Sequence, residues 1–363
     1  MTSYYYFSCR QRTRYQASAM TFRAFFDDLQ ILHSKWTFAY HQDRLVATTH
    51  SIPHDVLDET LENLLLRALT VLHFYNCHTL ATLPKSLGML RMLTELEFQN
   101  CWSLTKLPES LGQLTLLATL SFWECHALTE LPESLSNLTW LNTLELHRCD
   151  ALRVLPTLPG RLQRLLLPMC SALAAAPELH AVSGLMSLDL CGCGLLTRLP
   201  ESLGALSVLK YIDLGNCCAL TWLPESLGRL TSLVGLRLLC CKELTQLPES
   251  LGQLAALRRL EITYCDALVA MPFSFVFLRN CVCDMSYNAR MTYPPPNVVA
   301  GGPLAIGTFM RVQRRRACML LLILAAGSCS LPTELWHAFD NDDVDAGDIT
   351  IDLHQEDGFF LNM

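Results

Sequence analysis

Residues 107–130 read Leu107-Pro-Glu-Ser-Leu-Gly-Gln-Leu-Thr-Leu-Leu-Ala-Thr-Leu-Ser-Phe-Trp-Glu-Cys-His-Ala-Leu-Thr-Glu130, and the same unit returns along most of the chain. Its opening, Leu-Pro-Glu-Ser-Leu, recurs at Leu131, Leu199, Leu223 and Leu247, with a near copy, Leu-Pro-Lys-Ser-Leu, at Leu83. Each unit closes in Leu-x-x-Leu-x-Leu-x-x-Cys-x-x-Leu, where Phe or Ile sometimes replaces Leu. The closing cysteines are Cys77, Cys101, Cys125, Cys149, Cys170, Cys193, Cys217, Cys241 and Cys265, spaced 21 to 24 residues apart. A tenth, degenerate copy ends in Cys283-Asp-Met-Ser-Tyr-Asn288, with Asn288 in the cysteine's place.

A period of this length with this Leu pattern is the signature of a leucine-rich repeat. Leu-x-Leu, for example Leu120 and Phe122, is a short strand whose side chains alternate between two faces. One repeat cannot bury its own apolar face, so the units must stack into a continuous core. The expected fold is α/β: a leucine-rich-repeat solenoid, or horseshoe, with a concave parallel sheet of about ten short strands. The Cys or Asn after each strand points into the bend, where it can bond backbone groups that the turn leaves free. Leu-Pro-Glu-Ser-Leu-Gly forms the convex side, with Pro where no donor is needed and Leu spacing that suits a short helical turn. The fourth repeat, Leu155-Pro-Thr-Leu-Pro-Gly160, carries an extra Pro-Gly and predicts an extended segment instead. The fifth, from Ala176, is also irregular, and a local change of curvature is expected between Leu155 and Leu199.

Composition agrees with this frame. The 363 residues are 51% hydrophobic, enough for a long linear core, and the net charge of −7 implies no general affinity for nucleic acid. Seventeen cysteines could suggest a disulfide scaffold, but nine occupy one structural column. Neighbouring strands lie roughly 4.8 Å apart, yet parallel Cβ directions disfavour regular bridging, so the thiols point to a reducing compartment. The first residues lack the apolar run and small-residue cleavage site of a signal peptide, and a cytoplasmic location is expected.

The expected organisation follows the repeats. Residues 1–52 show no clear periodicity. Residues 53–68 read as an amphipathic N-terminal cap helix through Val56, Leu57, Leu61, Leu64 and Leu65, residues 69–291 as the repeats, and residues 292–316 as a C-terminal cap opened by three prolines. Residues 317–363 read as an apolar helix and an acidic tail. The apolar run from Ala317 to Leu331 is short of the ~20 residues that span a bilayer and predicts a docked or interfacial helix. The acidic stretch 340–348 lacks EF-hand spacing.

Leu-Pro-Glu-Ser-Leu-Gly-x-Leu with Leu-x-x-Leu-x-Leu-x-x-Cys resembles the intracellular leucine-rich repeats of plant disease-resistance proteins and the Ras-associated, scaffold-type repeat proteins, from about Leu57 to Arg316. The resemblance implies a non-enzymatic protein–protein interaction module or scaffold in intracellular signalling or defence. No P-loop or kinase signature accompanies it. Leu331-Pro-Thr-Glu-Leu-Trp336 also resembles the opening of an F-box, which would make the chain a substrate adaptor of a ubiquitin ligase. A membrane-attached scaffold using Arg311 to Leu331 is a further alternative.

The non-Leu strand positions face the sheet's free side. The central column runs His73, Glu97, Ser121, Glu145, Leu166, Asp189, Asp213, Arg237, Glu261, Asp284 and is mostly acidic. The column after it holds Tyr75, Trp123 and His147, and the column before it holds Glu95, Arg164, Tyr211 and Arg259. The expected partner-binding residues are therefore Tyr75, Glu97, Trp123, Glu145, His147, Asp189, Tyr211, Asp213, Arg237 and Glu261. Glu97, Glu145, Asp189 and Asp213 would receive Lys or Arg from a protein partner with a basic segment, while the aromatics supply rigid anchors. Asp189 and Asp213 sit about 5 Å apart on neighbouring strands, but no histidine neighbours them and no catalytic centre is expected. The cysteine pairs, such as Cys217 and Cys218, lack Cys-x-x-Cys spacing, so no metal and no cofactor are expected.

Overall fold

The computed structural model describes residues 36–41, 44–50, 69–278 and 281–325. Ten parallel strands, one per repeat, form a single sheet in chain order. They are β3 (Val71–Tyr75), β4 (Glu95–Gln99), β5 (Thr119–Trp123), β6 (Thr143–His147), β7 (Arg164–Leu166), β8 (Ser187–Asp189), β9 (Tyr211–Asp213), β10 (Gly235–Arg237), β11 (Arg259–Glu261) and β12 (Val282–Asp284). The register sets equivalent positions side by side, as in Leu96 beside Leu120 and Phe98 beside Phe122. The inward columns are fully buried and make one core from Leu69 to Met310. Within it Phe74, Phe98 and Phe122 stack in parallel with centroids 4.9 and 5.0 Å apart.

β3 to β6 have five residues, and β7 to β12 have three. The shortening has a visible source in three strands. The carboxylates of Asp189, Asp213 and Asp284 each accept the backbone N–H two residues on, from Cys191 (2.9 Å), Gly215 (2.8 Å) and Ser286 (3.0 Å). Such local bonds compete with ladder pairing. In the repeat of β7, Pro168 has no N–H to offer.

On the opposite side each regular repeat makes one short 3-10 turn, such as Glu109–Gln113 or Glu225–Arg229, preceded by Pro. The repeats between residues 151 and 186 have none, as the extra Pro-Gly predicts. The turns are capped from the neighbouring repeat. Glu225 accepts the backbone N–H groups of Glu249 (3.2 Å) and Ser250 (3.1 Å), and Glu249 accepts those of Phe273 and Ser274 (both 3.3 Å). Those N–H groups have no partner within their own turn. The Gly of the motif lets repeats approach closely: a Cβ on Gly228 would lie 2.7 Å from the Ser250 carbonyl oxygen and 2.5 Å from its Cβ. The Pro-Glu-Ser-Leu-Gly face is therefore architecture.

Two expectations change at the ends. Residues 1–52 showed no periodicity, yet β1 (Trp36–His41) and β2 (Arg44–His50) form an antiparallel hairpin whose second strand pairs in parallel with β3. The first repeat strand is thus flanked by a strand. The cause is legible in hindsight: the hairpin is rich in aromatic and β-branched residues but shares nothing with the 24-residue period. At the other end α1 (Pro296–Ala300) is followed by α2 (Gly302–Ala325). The expected boundary between a basic cap ending at Arg316 and a separate apolar helix from Ala317 does not exist. No Gly or Pro interrupts residues 308–325, so one helix runs through. Ile306 and Met310 of α2 are buried, and Met310 Sδ lies 3.9 Å from Cys283 Sγ. Among the described residues no helix is long and apolar enough to cross a membrane. The expected cap helix 53–68, Leu331–Trp336 and the acidic stretch 340–348 lie outside the described residues.

The column of cysteines bonds backbone groups across repeats. Most of these thiols donate to a carbonyl of the preceding repeat, among them Cys170 to Leu146 (3.2 Å), Cys193 to Leu167 (3.3 Å), Cys217 to Leu190 (3.1 Å), Cys241 to Leu214 (3.2 Å) and Cys265 to Leu238 (3.0 Å). The described cysteines are all free thiols. The residue before each column position takes a positive φ, from Asn76 (54°) to Tyr287 (63°), which turns the chain out of the strand. Burial pushes the Cys217 thiol up to about 12 and raises Cys193 as well. The neighbouring Cys125 thiol, with burial, pushes Cys101 up to about 12. The folded state thus keeps protons that an unfolded chain loses above the ordinary thiol value of 9.0. Their stabilisation is complete below that value and is lost as pH rises toward 12. Urea midpoints should therefore hold steady from about pH 7 to 8.5 and fall above about pH 9, less steeply in Cys217→Ala. Equal slopes for variant and parent would show that the column does not contribute.

Candidate functional site

The outward face of the sheet separates into two clusters, divided by the apolar Leu166 of β7, which lies between Glu145 and Asp189 in the central column. In the first, β3 and β4 bring His73, Tyr75, Glu95 and Glu97 together because their register sets His73 beside Glu97. Tyr75 Oη donates to Glu97 Oε2 (3.3 Å) and lies 3.4 Å from His73 Nδ1. His73 Nε2 faces Glu95 Oε1 at 3.3 Å and Glu97 Oε2 at 3.5 Å.

Two strands on, Trp123 and His147 are register partners, and their rings stack at 3.7 Å with 6° between planes. Trp123 is 38% exposed. Burial holds the His147 imidazole below its ordinary pKa of 6.5, so it is neutral at pH 7. Beside it, Glu145 lies 3.9 Å from His147 Nε2 and 3.8 Å from Arg164 Nη2. Neither distance is a hydrogen bond. The product is a rigid aromatic slab next to a half-buried carboxylate, Glu145, whose ion pair with the exposed Arg164 is long, at 3.8 Å.

The second cluster is self-paired. Arg237 reaches Asp213 (3.1 Å) on one side and Glu261 (3.1 Å) on the other, and Arg259 also bonds Glu261. Asp213 was expected to receive a partner's basic side chain, but this chain's own Arg237 already occupies that place. Asp189 sits opposite Asp213, and burial raises its carboxyl pKa, with the Asp213 charge adding to the effect. Both aspartates also accept backbone N–H groups that end their strands. Tyr211 is exposed, and its ring covers Gly235, where an added Cβ would fall 3.1 Å from it. Of the ten expected residues, Tyr75 and Glu97 share one small group, Trp123, Glu145 and His147 another, and Asp189, Tyr211, Asp213, Arg237 and Glu261 the second cluster.

Sequence reasoning placed His73 and Glu95 in their columns without assigning them a role. Their signal was available: His-x-Tyr one repeat away from Glu-x-Glu. It also passed over Tyr264 and Tyr287, whose rings stack at 4.6 Å beside an open cleft of about 650 Å³ that Pro296 and Val299 help to line. Both occupy the positive-φ position before the cysteine column.

Comparison with known proteins bears on the fold. Residues 184–206 match the Leucine Rich Repeat family model. No curated protein matches the sequence. Among solved structures, the leucine-rich repeat domain of the type III effector XopL superposes with a TM-score of 0.57 at 22% identity, over 81% of this chain and 99% of that one. A leucine-rich-repeat protein of Leptospira interrogans gives 0.38 at 21% identity, over 66% and 76%. The Toll–Spätzle complex of Drosophila gives 0.46 at 16% identity, over 69% of this chain and 39% of that one. Repeat pattern, sheet topology and the XopL superposition agree that this chain has the leucine-rich-repeat fold.

Proposed function

We propose that this chain is a non-enzymatic protein-interaction module that holds a basic segment of a partner protein on the outward face of β5 and β6. The observation that carries the reading is the stacked, partly exposed Trp123–His147 pair beside Glu145. Stacking fixes both rings before any partner arrives, so little side-chain entropy remains to be lost on binding. Aromatic residues set in this way often dominate interface energy, and an adjacent carboxylate selects Lys or Arg. The compensated cluster at Arg237 offers no comparable site. The resemblance to resistance-type and scaffold-type repeat proteins supports a place in intracellular signalling or defence. The free thiols support a reducing, cytoplasmic setting.

The test is selection of peptides from a random displayed library on the immobilised protein. Recovered sequences should be enriched in Lys and Arg. Trp123→Ala should weaken the best of them by about 30-fold or more, and Glu145→Lys should abolish binding. Peptides without basic enrichment, or peptides held equally by the parent and both folded variants, would overturn the proposal.

A further inference from the structure

We infer that His73, Glu95 and Glu97 form a binding site for one divalent transition-metal ion on the outward face of β3 and β4. The inference stands on the geometry of these strands and does not rest on the partner-binding reading. The three ligand atoms, one imidazole nitrogen and two carboxylate oxygens, all lie within 4.8 Å of one another. A tetrahedral ion with bonds of about 2.1 Å needs ligand atoms about 3.4 Å apart. The two edges at His73 Nε2 measure 3.3 and 3.5 Å. The contact to Glu95 is also within hydrogen-bond reach, and both edges match the requirement of the ion.

Tyr75 Oη lies 3.4 Å from His73 Nδ1 and 3.3 Å from Glu97 Oε2. With Nδ1–H donating to that oxygen, the neutral ring turns its Nε2 lone pair toward the two carboxylates. A histidine that donates its second ring nitrogen to an oriented acceptor is also how proteins present a metal ligand, and Tyr75 ties that acceptor to a second ligand. The site is half-buried and backed by the sheet, with solvent able to supply further ligands. One nitrogen and two carboxylates suit Zn²⁺ or Mn²⁺.

A proton on Nε2 is the competing occupant, and metal binding separates the two. The probe is Mn²⁺, because zinc would also seek the free thiols. Titration of the intact protein at pH 7.5, followed by the electron paramagnetic resonance signal of free Mn²⁺, should show one site per chain. Glu97→Gln and His73→Gln should abolish it, and Tyr75→Phe should weaken it about 10- to 100-fold. Glu130→Gln, an exposed carboxylate elsewhere, should leave it intact. Circular dichroism melts identify any variant that has failed to fold. For such a variant the result at Tyr75→Phe decides, since that change removes one hydroxyl from a half-exposed side chain. Absence of stoichiometric binding, or binding unaffected by Glu97→Gln and Tyr75→Phe, would show that a proton alone occupies the site and would overturn the inference.

Discussion

Phe98→Ala lowers the unfolding free energy by about 3–5 kcal/mol, seen as a fall in the urea midpoint. Phe98 is fully buried and is the middle ring of three, stacked on Phe74 at 4.9 Å and on Phe122 at 5.0 Å. Removing it breaks both stacks and opens a cavity between adjacent repeats. The flanking leucines cannot close it, because backbone pairing fixes the spacing of the strands. The loss also has a location. Repeats touch only their neighbours, so the damage weakens the junction between β3 and β5 more than any distant one. Hydrogen exchange should quicken at the amides of β3 and β4 while those of β9 and β10 stay protected. Phe98→Leu, which keeps most of the volume, should recover more than half of the loss. A shift in midpoint no larger for alanine than for leucine would show that filled volume is not what holds this junction.

Asn288→Ala destabilises the C-terminal end by about 3 kcal/mol or more, from the desolvated groups it leaves behind. Asn288 is buried and replaces the column cysteine in the last repeat. Its amide donates to the carbonyls of Ile262 (2.6 Å) and Met285 (2.8 Å), and its oxygen accepts the N–H of Cys265 (2.8 Å). Alanine strands one N–H and two carbonyls in the core. Asn288→Cys is the informative companion. A thiol there can donate to the Ile262 carbonyl, as Cys265 does to Leu238 at 3.0 Å, but cannot serve the Cys265 N–H. The cysteine variant should fall between parent and alanine in thermal or urea melts. Cysteine equal to asparagine would mean that the bond to the Cys265 N–H is dispensable, and cysteine equal to alanine would mean that the thiol column contributes no hydrogen bonding at this end.

The repeat period alone carried the reading from sequence to sheet. Spacing of Leu and Cys placed ten strands, set their inward residues and anticipated the extended segment after Leu155, because all of these depend on one short unit whose apolar face has a single way to be covered. The hairpin at 36–50 escaped for the complementary reason. It shares no residue pattern with the repeat, and its place is decided by pairing with β3. The continuous α2 escaped because composition, not helix propensity, marked a boundary at Arg316 where nothing breaks the backbone.

The site shows the same division. The sequence by itself determined which side chains face outward, since alternation along a strand and the register of 24 residues leave no freedom there. It could not determine how those side chains answer one another across strands. Only the tertiary structure decided that Arg237 neutralises Asp213 and Glu261, that Trp123 lies flat against His147, and that His73, Glu95 and Glu97 converge on one point. These are rotamer choices made among residues about 24 apart in sequence and about 5 Å apart in space. They are governed by charge and packing between neighbouring strands, which no pattern along a single strand contains.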